Sequence, residues 1–218
     1  MRTAMDEPGS VARREAVIDR AIHLLGIGVA VIGSVVLLWA AGSAHQRTLM
    51  TGVMLYMVGL FAMLVCSALY HGVLPSPRKA LLRRFDHAAI FLLIAGTYSP
   101  FMVGATDDPA IEAVYVAVWA SAVIGVVAKL LFAGRFERLS VVLYLALGWS
   151  VVIVIGRLID RLPPSVLWLI AVGGVLYSAG VAFHLWKRLP YQKAIWHGFV
   201  VSAAATHFTA VLTYVVAT

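Results

Sequence analysis

Seven apolar runs constrain this chain more than any other feature: 21–42, 49–71, 86–105, 111–132, 139–157, 165–186 and 194–216. Each holds 19–23 residues, the length a helix rising about 1.5 Å per residue needs to cross about 30 Å of hydrocarbon. Membrane barrels instead show segments of about ten residues with alternating hydrophobicity, and no such pattern occurs. The sequence therefore predicts an all-α integral membrane protein with seven transmembrane helices. Composition agrees, since 62% of residues are hydrophobic and 12% charged, against roughly 25% charged in a soluble domain. Residues 1–20 are polar and basic and read as a loose tail entering a short interfacial helix, and 21–216 read as one membrane domain. The one cysteine, Cys66, lies inside an apolar run, which excludes a disulfide framework or a cysteine zinc ribbon. No cleavable signal peptide is expected, because the first apolar run is too long for one.

A net charge of +7 would suit nucleic acid, but the location of the charge argues otherwise. Of the 17 Lys and Arg residues, 14 fall in the N-terminal tail and in the loops after the second, fourth and sixth runs. The other side carries only Arg47, Arg157 and Arg161. The excess of positive charge on cytoplasmic loops then predicts a cytoplasmic N-terminus and an outside C-terminus. The expected location is the inner (plasma) membrane, with membrane lipids as partners and no nucleic acid.

This topology acts as a ruler of depth. The second run ends at His71, the third begins at Asp86, and the seventh begins near Lys193 and His197. All of them fall in the cytoplasmic third of the bilayer. Ser67 and His71 stand four residues apart on one helix face, as do Lys193 and His197. Ionisable side chains inside a membrane are costly and mark functional sites. Each residue also has a plain role open to it: a histidine bonding a neighbouring helix, Asp86 capping its helix, Ser67 bonding its own backbone, Lys193 reaching the headgroups. His207 lies ten residues beyond His197, about 15 Å deeper, so the two cannot share an ion on a regular helix. His184 sits at a permissible depth, His87 points about 100° away from Asp86, and His23 and His45 are expected at headgroups or loops.

Three stretches carry a resemblance: Ser67-Ala68-Leu69-Tyr70-His71, the run from Leu82 to Phe101 that contains Phe85-Asp86-His87, and Ala194-Ile195-Trp196-His197. They resemble the hemolysin III family, bacterial relatives of the adiponectin and progestin (PAQR) receptors in a group that includes alkaline ceramidases. The resemblance implies a zinc ion near the cytoplasmic face, with His71 and His197 as ligands, Asp86 holding the metal-bound water and Ser67 supporting them. The family's further histidine falls on Lys193, a departure. With it, either Asp86 joins His71 and His197 as a ligand, or a neutral Lys193 amine does, or metal binding is weak or absent. In a zinc site Asp86 would serve as base, and a charged Lys193 would stabilise an oxyanion.

The leading expectation is a zinc-dependent intramembrane hydrolase of lipid amide or ester bonds at the cytoplasmic leaflet, with Asp86, Ser67 and Lys193 as catalytic residues. A receptor-like regulator of membrane lipid or energetic homeostasis, or a pore-forming protein, are the alternatives. No run carries the polar stripe an aqueous channel needs.

Overall fold

The computed structural model describes residues 8–74, 76–132, 134–135 and 137–218. Eight α-helices follow one another: α1 Pro8–Ser43, α2 Arg47–Gly72, α3 Pro77–Met102, α4 Pro109–Leu131, α5 Glu137–Trp149, α6 Ile155–Ile159, α7 Pro164–Leu185 and α8 Gln192–Ala217. The described residues form no strand. Six membrane-length helices emerge, with α5, α6 and the 3₁₀ turn between them making one of these spans. The other long helix, α3, carries Arg78, Lys79, Arg83, Arg84 and Asp86 in its first half and is buried along most of its second half.

The molecule is apolar outside as well as inside. Trp39 is 75% exposed and Trp168 72%, and both sit on helices that water would not solvate. Lipid as the surrounding solvent removes that cost, and helix association then depends on close packing rather than on hydrophobic burial. Small residues supply that closeness. A Cβ on Gly59 would lie 2.5 Å from the Leu92 carbonyl oxygen, and one on Gly52 2.7 Å from that of Ser99. These contacts bring α2 and α3 backbone to backbone, and the two form the most extensive helix pair.

Prolines and aspartate set the helix starts. Asp108 accepts hydrogen bonds from the Ala110 and Ile111 amides at the head of α4, with Pro109 in the first position. The fifth apolar run, expected as one helix, is interrupted by a 3₁₀ turn at Ser150–Val154. There the Val151 amide donates to the Tyr98 hydroxyl at 2.9 Å, and the Leu147 and Gly148 carbonyls both lie 2.8 Å from that oxygen. A side chain from α3 thus replaces backbone bonds that the broken helix gives up.

The first apolar run differs most from expectation. α1 continues without a break through residue 20, so at 36 residues it is about 54 Å long. It carries Asp19 and His23 into the bundle, where both are buried.

Candidate metal centre

Three helices converge at the end of the bundle that bears the basic loops. α2 brings Ser67 and His71, α8 brings His197, and α1 brings Asp19 and His23. The Asp19 carboxylate is the hub. His197 Nδ1 donates to Oδ1 at 2.5 Å, His71 Nδ1 lies 3.7 Å from Oδ2, and His23 Nδ1 lies 3.9 Å from Oδ1. The His71 and His197 rings meet edge to face with centroids 4.3 Å apart. One donor atom each from Asp19, His71 and His197 falls within 4.8 Å of the others.

A bond to the α1 backbone orients His23. Its Nδ1 lies 2.7 Å from the Asp19 carbonyl oxygen, which can only accept, so Nδ1 carries the proton. Nε2 is then left to accept from the Ser67 hydroxyl at 3.0 Å. Ser67 and Asp19 are held in place by the same ring. A second tie joins α1 to α8, where Tyr191 at the helix head has a left-handed backbone (φ 57°) and caps nothing. Instead the Glu15 carboxylate accepts from the Lys193 amide at 2.9 Å, and its charge suits the helix dipole.

A cavity of about 370 Å³ opens beside the centre. Ser67, His71, Asp86, Lys193 and His197 line its polar head, and Thr97, Trp149, Tyr177 and His207 line its far end. Asp19 and His23 lie outside that lining and approach the two imidazoles from α1. Asp86 is buried at 8% exposure and faces the cavity. The carboxylate grouped with the two histidines is Asp19 rather than Asp86. Lys193 stands at the cavity rim in the first turn of α8.

The other histidines have separate places. His207 Nε2 donates to the Ile170 carbonyl at 3.1 Å, and its ring fills the space over Gly173, where a Cβ would come within 2.2 Å. His184 packs on Trp196, and His87 also lines the cavity. His45 is exposed in the turn after α1. His23 was expected at headgroups or loops and is instead buried in the centre. The missed pair did leave a signal: Asp19 and His23 stand four apart, the same spacing as Ser67 with His71 and Lys193 with His197.

A profile of the family described as "Haemolysin-III related" matches residues 13–208, which takes in all five residues of the centre. The chain belongs to the haemolysin-III related family. The "Hemolysin-3 homolog" of Bacillus subtilis is 33% identical over 203 residues, covering 93% of this chain and 95% of that protein. The "Hemolysin-3" of Bacillus cereus is 32% identical over 205 residues, 94% of each chain. A more distant haemolysin-III relative is the human "Monocyte to macrophage differentiation factor", 29% identical over 168 residues, 73% of this chain and 68% of its own. No solved structure matches the chain significantly.

Two imidazoles and one carboxylate form a set that zinc accepts in catalytic sites, leaving a position for water. His23 bridges the Asp19 carbonyl oxygen and the Ser67 hydroxyl just outside the donor set, the kind of surrounding contact that metal sites use. Among the described residues, Asp19's ion-pair partners are all histidines. A buried carboxylate facing only imidazoles lacks a permanent positive charge, and a divalent cation supplies one. The residues fit the ion.

Proposed function

We propose that this protein is a zinc-dependent intramembrane hydrolase that cleaves an amide or ester bond in a membrane lipid at the cytoplasmic leaflet. The observation that carries the reading is the convergence of Asp19, His71 and His197 at the polar head of a cavity that continues into the apolar bundle. On this reading α3 is a seventh span, and the charge bias supports an N-terminus and a metal centre on the cytoplasmic side of the inner membrane.

His71, His197 and Asp19 would hold the ion. When bound, zinc supplies a Lewis acid and lowers the pKa of its water to about 7. The remaining roles belong to the chain's own side chains. Asp86, buried and facing the cavity, orients a water molecule and takes its proton. Lys193, at the rim of the same cavity, stabilises negative charge developing on the carbonyl oxygen. The Ser67 hydroxyl stands between two acceptors, His23 Nε2 and the Asp86 carboxylate, and so links Asp86 to the histidines. An acyl chain fits the deeper part of the cavity, where Thr97 lies eleven residues beyond Asp86 on α3, about 16 Å further in.

Purified, zinc-loaded protein given labelled ceramide-type amides and acyl esters should release free fatty acid. Asp86→Asn should retain zinc and lose activity by about 10²- to 10⁴-fold. Zinc-loaded protein that cleaves neither bond class would defeat the hydrolase reading and leave a ligand-binding regulator built on the same cavity.

A further inference from the structure

α4 and α5 touch at few points, and the gap between them forms a second cavity of about 500 Å³. On the α4 side its wall is one helix face: Val114, Val118, Ser121, Gly125 and Ala128, at steps of three and four residues. The wall is apolar along almost its whole length. Phe91 closes its floor, packing over Gly125 where a Cβ would come within 2.5 Å.

The charges lie at one end. Lys129 and Arg135 line this groove where it reaches the basic loops. Lys129 is only 7% exposed as a residue, and among the described contacts its ammonium has no hydrogen bond or direct ion pair, with Glu137 acting on it only at longer range. Arg135 is exposed, and among the described residues no contact pairs its guanidinium. A buried ammonium without a direct partner is costly and suits an anion held against it. Lys129 also lines the metal-side cavity, so its ammonium stands between the two spaces.

We infer that the α4–α5 groove is a binding site for an anionic phospholipid, with one acyl chain along the apolar wall and the phosphate held by Lys129 and Arg135. Length agrees with charge. Val114 and Lys129 are fifteen residues apart on α4, about 22 Å. That distance is within the reach of one extended acyl chain. The chain alone gives no preference for this groove over bulk lipid, which is equally apolar. Selection therefore rests on the two cations, each worth about fivefold in affinity for an anionic headgroup. The site does not depend on hydrolysis or on metal.

The test measures lipid retained by the full-length protein in neutral detergent, by native mass spectrometry, after loading with phosphatidylglycerol or phosphatidylcholine of the same chains. One phosphatidylglycerol per chain should survive dilution that strips phosphatidylcholine. The Lys129→Gln/Arg135→Gln variant should lower its affinity about 25-fold. Arg135→Gln alone, at an exposed position that folding tolerates, should lower it about fivefold. Ala128→Trp, which fills the groove from its exposed face, should displace the lipid with all charges intact. Free inorganic phosphate should not compete at millimolar concentration, because the acyl chain is part of the fit. Equal retention of the two lipids would overturn the inference. So would an equal loss in Arg78→Gln, which removes a charge at the same end of the bundle outside both cavities.

Discussion

Aspartates anchor both ends of this bundle, and they do opposite things. At the end away from the basic loops, Arg161 donates two hydrogen bonds to the Asp107 carboxylate at 3.0 Å each, and Arg157 donates to Asp108 at 2.7 Å. A guanidinium is a permanent cation with no lone pair to offer, so each pair is complete in itself. The arginines hold both carboxyls below their usual range, the direct hydrogen bond being the main cause. At the other end Asp19 is buried among three imidazoles. Imidazoles carry lone pairs and need not be charged, so the group neither cancels its charge nor exhausts its donors. One end closes on itself and ties a loop to a helix. The other remains open to a cation, and chemistry is expected there.

The sharpest way to break this comparison is to remove each carboxylate in turn. Asp19→Ala should lower zinc affinity by about 100-fold or more, as loss of a ligand exceeds the 10–100-fold typical of an outer partner. Asp107→Ala should leave zinc affinity unchanged, and equal effects in a competition titration would end the distinction. His23→Gln comes next. It frees Ser67 and the Asp19 backbone without touching a ligand, so zinc affinity should fall between about 10- and 100-fold, read by the same titration.

The smaller effects belong to the exposed end. Arg161→Gln should lower the thermal midpoint in detergent only slightly at pH 7 and 0.15 M salt, because exposed pairs are screened and worth little. Acid removes even that contribution. The folded Asp107 carboxyl titrates below its ordinary value of 3.8, so its contribution is complete above that pH and disappears as pH falls through the lower folded value. The gap between wild type and Arg161→Gln should therefore be constant from pH 7 to pH 5 and close below about pH 3.8. A gap that widened in acid would contradict the pairing.

Much of the architecture was legible because membrane crossing imposes length. The apolar runs predict α2, α4, α7 and α8 to within a few residues, and depth alone put His71, Asp86 and His197 at one end. The N-terminal reading missed α1's share of the centre. Arg13, Arg14 and Arg20 made residues 1–20 look like a tail, whereas Asp19 lies on the helix face turned inward, away from those exposed arginines. The i, i+4 pair Asp19/His23 was visible, but only the packing of α1 on α2 and α8 gives it partners. The break in the fifth run depends on Tyr98, 53 residues from Val151, and no local pattern announces a contact so distant. Glycines spaced for helix contact do meet neighbours at Gly26, Gly33, Gly173 and Gly180, but Gly28 touches nothing within 4 Å, and the tightest backbone-to-backbone approaches fall elsewhere, at Gly52 and Gly59. Spacing shows that small residues share a face, not which face meets a neighbour.

The central claim is that Asp19, His71 and His197 hold a zinc ion while Asp86 acts on water beside it. The most direct measurement is the metal content of the purified full-length protein, compared across wild type, His197→Ala, Asp19→Asn and Asp86→Asn. The account predicts one zinc per chain in wild type and in Asp86→Asn, and less than about a tenth of that in His197→Ala and Asp19→Asn. Protein that binds no zinc, or that keeps it in Asp19→Asn and loses it in Asp86→Asn, would contradict it.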